Sequence, residues 1–281
     1  MSRYMTPRSA DLLAQRLSSR DWLVLERVTH LRFVSGSQLA RLCFAVSDDP
    51  RADARTARHA LLRLTRLGVL ARLPRAVGGV RAGSAGYVYR LGLGGHRLAV
   101  MRGLLPERIR RRSRLPGLLF VRHTLAIAEL HTRLIEGERS RRFELLKLAA
   151  EPLCWRHYDG YGGQRITLKP DSYVCLGIGP YEDSYFIEVD RGTEGSRTLS
   201  WQLKRYVAYY RAGIDQAEHG VFPKVLWLTS SAERVAVIKA CVRALPSVER
   251  KLFVATEFND ALKAMSIDPR ERSLDEPAAE I

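Results

Sequence analysis

Apolar positions recur at helical spacing over the first part of the chain and at strand spacing after it. Val24, Val28 and Leu31 form an i, i+4, i+7 stripe behind Asp21, a capping residue, and predict a helix from about Trp22. Phe33-Val34-Ser35-Gly36-Ser37 breaks that helix, and Ser37 is placed to cap a second one over 38–44. A third helix is predicted over 51–67, closed by Gly68 at C′. Wound at about 100° per residue, it gathers Ala54, Ala57, Ala60, Leu61, Leu64 and Leu67 on one side. Arg51, Arg55, Arg58, His59 and Arg66 fall on the other, with Leu62 the one apolar intruder. Residues 69–73 and 87–91 read as strands joined by a glycine-rich loop, a β-hairpin. Three helices and a basic-tipped hairpin predict a winged helix-turn-helix.

A second pattern starts at Leu118. A helix over 118–135 places Val121, Leu125, Ala128, Thr132 and Ile135 on one face. Strands follow over 143–148, 172–176 and 185–190, then a helix over 197–212, a strand over 224–229, a helix over 232–245 and a strand over 251–255. The order α-β-β-β-α-β-α-β predicts an α/β domain with a mixed sheet. The expected division is a winged-helix domain at 18–93, a basic linker at 94–117, an α/β domain at 118–258 and a tail at 259–281.

Composition narrows the class. With 281 residues, 46% hydrophobic and 27% charged, the chain can bury the cores of two ordinary domains and is not disordered by composition. No apolar run reaches the roughly 18 to 20 residues a bilayer span needs, and the N-terminus lacks a signal-peptide pattern. Cys43, Cys154, Cys175 and Cys241 are scattered without a CxxC pair, which argues against a zinc ribbon or a secreted disulfide scaffold. The expected compartment is the cytoplasm, with no membrane partner. There is no P-loop, GxGxxG or Gly-x-Ser-x-Gly motif. His123 and His131, eight apart, are too distant to chelate one metal without a third ligand.

Charge changes the picture more. The net +16 is confined to residues 1–115, which hold 23 basic residues, all arginine, against 7 acids; residues 116–281 hold 23 against 23. A basic head on a neutral body points to double-stranded DNA as partner. Arg55, Arg58 and His59 are set to enter a major groove, flanked by Arg51 and Arg66. Arg75 and Arg81 on the hairpin tip would meet phosphates or the minor groove. Arg110, Arg111 and Arg112 lie in the run 106–116, a linker expected to touch backbone phosphate. Trp155, Tyr158 and Tyr161 are candidates for base stacking but read more readily as core or loop anchors.

The second domain carries acids at strand ends. Asp171 follows a proline at the start of one strand, and Glu188 and Asp190 share one face of the next. Such carboxylates are the hard ligands that Mg²⁺ or Mn²⁺ prefers, and a metal-bound water can attack a phosphodiester. Gln202-Leu203-Lys204-Arg205-Tyr206 fits Q-h-x-x-Y, which resembles the exonuclease branch of the PD-(D/E)xK superfamily. The resemblance makes Asp171 the first acid, Glu188 the second, and Gln202 and Tyr206 the helix motif. The lysine expected two residues after the second acid is Asp190 here, so cleavage would need Lys204 or Lys169 as substitute.

The whole arrangement resembles the replication-relaxation family of actinobacterial and firmicute mobile elements over about residues 20–250. The resemblance is carried by residues 87–92, by Phe186-Ile187-Glu188-Val189-Asp190-Arg191-Gly192-Thr193-Glu194, and by the helix bearing Gln202 and Tyr206. It implies a plasmid or integrative-element protein in replication or transfer, with replication or transfer proteins of the element as further partners. The preferred expectation is a double-stranded DNA-binding protein whose nuclease-like domain does not cleave, and no resident cofactor is certain. The alternatives are a metal-dependent DNA endonuclease or nickase, and a winged-helix transcription regulator with a ligand-sensing second domain. A homodimer is compatible with this pattern, although no long heptad specifies one.

Overall fold

The structure, a computed structural model, describes residues 6–47, 49–73, 86–107, 116–160, 162–192 and 194–265. The chain divides into two units, Met1–Thr132 and Arg133–Ile281.

The first unit opens with α1 (Pro7–Ala14) and α2 (Ser19–Leu31). Ser18, not Asp21, is the N-cap of α2: Asp21 sits at N3 and completes a capping box, accepting from the Ser18 amide at 2.8 Å. The stretch expected only to break the chain forms the short strand β1 (Val34–Ser35). Ser35, two residues before the expected cap, then starts α3 (Gly36–Cys43) in a second capping box with Gln38.

Helix α4 (Pro50–Arg66) follows with Asp49 as its cap. Asp53 in its first turn accepts from the amides of Val46 and Ser47 at 3.2 Å and from the Ser47 hydroxyl at 3.0 Å, which fixes the α3–α4 connection. At its other end Gly68 takes φ +73°. Its amide bonds the Thr65 carbonyl and that of Val69 bonds Leu64, a Schellman pattern with Gly68 at the C′ position expected for it. Strands β2 (Leu70–Arg72) and β3 (Val88–Leu91) pair antiparallel, Leu70 opposite Leu91, and β1 adds to the other edge of β3. The loop 74–85, with Arg75 and Arg81, lies outside the described residues.

The expected linker is partly helical. Residues 93–101 form α5 (Leu93–Met101), packed on α1 and α2. A Cβ at Gly95 would stand 2.1 Å from the Val69 carbonyl oxygen, so only glycine admits this approach. Arg110, Arg111 and Arg112 lie outside the described residues. Helix α6 (Leu118–Arg139) carries the predicted stripe, with Val121, Ala128, Thr132 and Ile135 buried. Gln38 Nε2 donates to the Leu125 carbonyl at 3.0 Å, and Arg41 Nη1 lies 2.9 Å from both Glu129 oxygens, tying α3 to α6.

In the second unit β4 (Glu144–Ala150) is followed by β5 (Arg156–Asp159) and β6 (Arg165–Leu168), a separate antiparallel hairpin. Then come β7 (Ser172–Ile178), β8 (Tyr181–Asp190), α7 (Ser196–Ala212), α8 (Ile214–His219), β9 (Lys224–Thr229), α9 (Ala232–Arg243), α10 (Ser247–Arg250) and β10 (Phe253–Glu257). The main sheet runs β10-β9-β8-β7-β4, antiparallel from β4 to β8 and parallel from β8 to β10, the mixed sheet expected. Phe186, Trp227, Leu199, Leu203, Tyr206 and Tyr209 are buried together where α7 joins the core. Among the described residues no helix is long and apolar enough to cross a membrane.

Candidate functional site

Helix α4 in the first unit separates its two faces as its sequence dictates. Ala57, Leu61 and Leu64 are buried, while Arg51, Arg55, Arg58, His59 and Arg66 are exposed. Among the described residues no carboxylate pairs with those four arginines. Leu62 sits half-buried between them. Arg63, which the sequence did not single out, anchors the helix: its Nη2 lies 2.5 and 2.6 Å from the two oxygens of Asp21. Beside the helix, the Arg72 guanidinium stacks 4.3 Å from the Tyr87 ring centre and 5.7 Å from that of Tyr89, which braces the hairpin's base.

The acids of the second unit meet where β7 and β8 adjoin α7. Asp171 Oδ2 accepts from the Val189 amide at 2.8 Å, which locks it across the strand pair. The Tyr206 hydroxyl donates to Glu188 Oε1. Burial, then the neighbouring Asp171 charge, drives the Glu188 carboxyl well above the usual carboxylate range, against the Tyr206 hydrogen bond. Burial and the charge on Glu188 push the Tyr206 phenol well up in turn. The Cys154 thiol, donating to the Pro170 carbonyl at 3.0 Å, is raised to about 12 by burial and by Asp171. Gln202 Nε2 reaches Glu194 Oε1 at 3.4 Å, and burial followed by Asp190 and Asp171 raises the Glu194 carboxyl.

Asp190 faces other partners. Its Oδ1 accepts from the Gly192 amide at 2.6 Å and its Oδ2 from Arg234 Nε at 2.7 Å. Arg234 Nη2 also donates to the Glu194 carbonyl at 2.8 Å. Both Asp190 oxygens thus have protein partners, a structural use that the strand alternation did not suggest. Glu188, its carboxyl raised by burial and by the Asp171 charge, receives the Tyr206 phenol on Oε1. The lysines expected to replace the missing cation are both exposed. Lys204 is exposed, about 200° of helix from buried Tyr206. Lys169 is exposed too, its ammonium 4.7 Å from the Trp155 ring centre.

Another group with metal-ligand spacing lies at α8. Asp215, Glu218 and His219 offer ligand atoms within 4.8 Å of one another, an arrangement that could hold a metal ion. Buried Asp215 is also paired with Arg156 at 3.4 Å. The i, i+3, i+4 spacing was a readable signal. Glu194 was legible only as the end of the string 186–194, and Arg234 carried no signal, because its partners are set by the tertiary fold.

Of the stacking candidates, Tyr158 is a core residue with its ring 5.0 Å from that of Tyr209, Trp155 is half-buried at the core's margin, and Tyr161 lies outside the described residues. His131 is buried in the first unit.

No curated protein matches the chain, and no solved structure does. The sequence model of the family described as Replication-relaxation matches residues 25–225, and with most of its length inside that match the chain belongs to the Replication-relaxation family.

Proposed function

We propose that the chain is a double-stranded DNA-binding protein of a plasmid or integrative element, acting in its replication or transfer. In this reading α4 is the recognition helix and the nuclease-like unit does not cleave. The observation that carries it is the division of α4, with Ala57, Leu61 and Leu64 packed inward and Arg51, Arg55, Arg58, His59 and Arg66 open to solvent. Guanidinium groups at groove depth pair bidentately with guanine edges, and those at the flanks neutralise phosphates. The Arg63–Asp21 pair supports the same reading, because it fixes the helix without using a cation of that face. In the second unit Arg234 pairs with Asp190 and the Tyr206 hydroxyl donates to Glu188, protein partners that support a structural use of these two acids.

The test is duplex binding by the full chain over a salt series, beside Arg55→Ala/Arg58→Ala. If those two arginines contact phosphates or bases, affinity drops and log K against log salt flattens by about 0.9 for each phosphate contact removed. An unchanged affinity and slope in the double variant would defeat the reading. A metal-dependent nickase is the second reading, favoured by the adjacency of Asp171 and Glu188. Incubating supercoiled plasmid with Mg²⁺ or Mn²⁺ decides it: nicking by the wild type that disappears in Glu188→Ala would establish catalysis.

A further inference from the structure

Helix α7 has a second face that the acidic site does not use. Its sequence, SRTLSWQLKRYVAYYRA, holds four cations and no acid. Leu199, Leu203, Tyr206, Val207 and Tyr209 turn inward. The outward side presents Arg197, Trp201, Lys204 and half-buried Arg205. Trp201 is 57% exposed, an unusual position for the largest apolar side chain. The Arg205 guanidinium lies 4.7 Å from its ring centre, and Arg205 Nη2 also donates to the Thr167 carbonyl at the edge of the β5–β6 hairpin. Two residues beyond Thr167 stands Lys169, over the Trp155 ring. The seam between α7 and the hairpin therefore has an aromatic ring with a cation on each side, and its exposed ring is steadied by Arg205.

Duplex DNA hides its base faces, whereas a single strand offers them together with its phosphates. Aromatic rings interleaved with cations are the chemistry that holds unpaired bases, the ring by stacking and the cations by tracking the backbone. An acidic protein surface would use the cations but gives no reason for an exposed indole braced by a guanidinium. We infer that the outer face of α7 is a binding site for single-stranded nucleic acid, with a base stacked on Trp201 and phosphates met by Arg197, Lys204 and Lys169. This goes beyond duplex recognition by α4 and stands on a different unit of the chain.

The test titrates the full chain with a thymidine oligonucleotide of about 20 nucleotides, which cannot pair with itself. It follows tryptophan fluorescence and the anisotropy of a labelled strand. Stacking quenches Trp201, so the wild type loses emission as it binds. Trp201→Ala removes that quenching and weakens binding roughly five- to hundredfold, the range a lost base–aromatic stack gives. Trp201→Phe keeps most of the affinity. The side chain is exposed, so neither change threatens the fold. A parallel titration with the uridine oligoribonucleotide separates the two sugars; quenching by either strand supports the inference. Arg55→Ala/Arg58→Ala retains thymidine binding even if it loses duplex, which keeps the failure of one reading distinct from that of the other. Unchanged thymidine affinity in Trp201→Ala would overturn the inference.

Discussion

Arg234 Nε lies 2.7 Å from Asp190 Oδ2, with only 13% and 2% of the two side chains exposed. The same guanidinium holds the Glu194 carbonyl, so one residue of α9 ties the end of β8 to the loop leading into α7. Breaking a buried pair leaves a desolvated charge behind, which costs about 3–5 kcal/mol. Arg234→Met is expected to lower stability by that order in urea unfolding, and Asp190→Asn by less, since the amide still accepts from Gly192. Equal stability of Arg234→Met and wild type would show the pair to be idle.

Asp21 couples a helix cap to the basic helix. Its oxygens accept from Ser18 and from Arg63, and these bonds outweigh the burial that would otherwise raise its pKa, so the carboxyl titrates below its usual value. Its contribution is present above the unfolded carboxylate range and is lost as pH falls through the folded pKa. Asp21→Ala is expected to cost about 2 kcal/mol or more, combining a lost cap of about 1 kcal/mol with a lost charge-assisted bond. A double-mutant cycle with Arg63→Ala should return a coupling energy clearly above zero; additivity of the two changes would refute the link.

His131 is 5% exposed, and burial followed by the charges of Arg27 and His30 lowers its pKa to about 3. Between pH 6.5 and that value the unfolded chain binds a proton that the folded one refuses. Stability should therefore fall with falling pH, by up to roughly 1.4 kcal/mol per unit from this residue. His131→Leu is expected to remove much of that slope. Denaturant melts at several pH values measure it, and an unaltered slope in the variant would contradict the assignment.

Glu188 predicts the opposite trend. Its raised pKa means that the folded state binds the extra proton above the unfolded carboxylate value. Its contribution is fully present below that value and is lost as pH rises through the folded pKa. Glu188→Gln keeps the shape and an oxygen for Tyr206 while removing the charge. The variant is expected to melt a few degrees higher than wild type at pH 8, with the difference vanishing near pH 4. A lower melting temperature at pH 8 would mean that the carboxylate is needed charged.

Local spacing determined much of this protein. The two faces of α4, the glycine that ends it, the pairing of residues 70–72 with 88–91 and the order of the main sheet's strands and helices in the second unit all follow from periods of 3.6 and 2 and from capping chemistry, whereas the β5–β6 hairpin and α8 did not. Those signals depend on neighbours a few residues away, so they survive without the fold. Which polar groups stand together did not follow. Asp190 waits for an arginine 44 residues on, Arg63 for an acid 42 residues back, and Glu188 for a tyrosine on the next helix. The helix in the supposed linker depends on Gly95 approaching the carbonyl of Val69. Burial decides whether a carboxylate keeps its charge and which face of a helix meets solvent beside which hairpin. Only the packed chain sets that burial, because desolvation and Coulomb energy depend on distances in space rather than along the sequence.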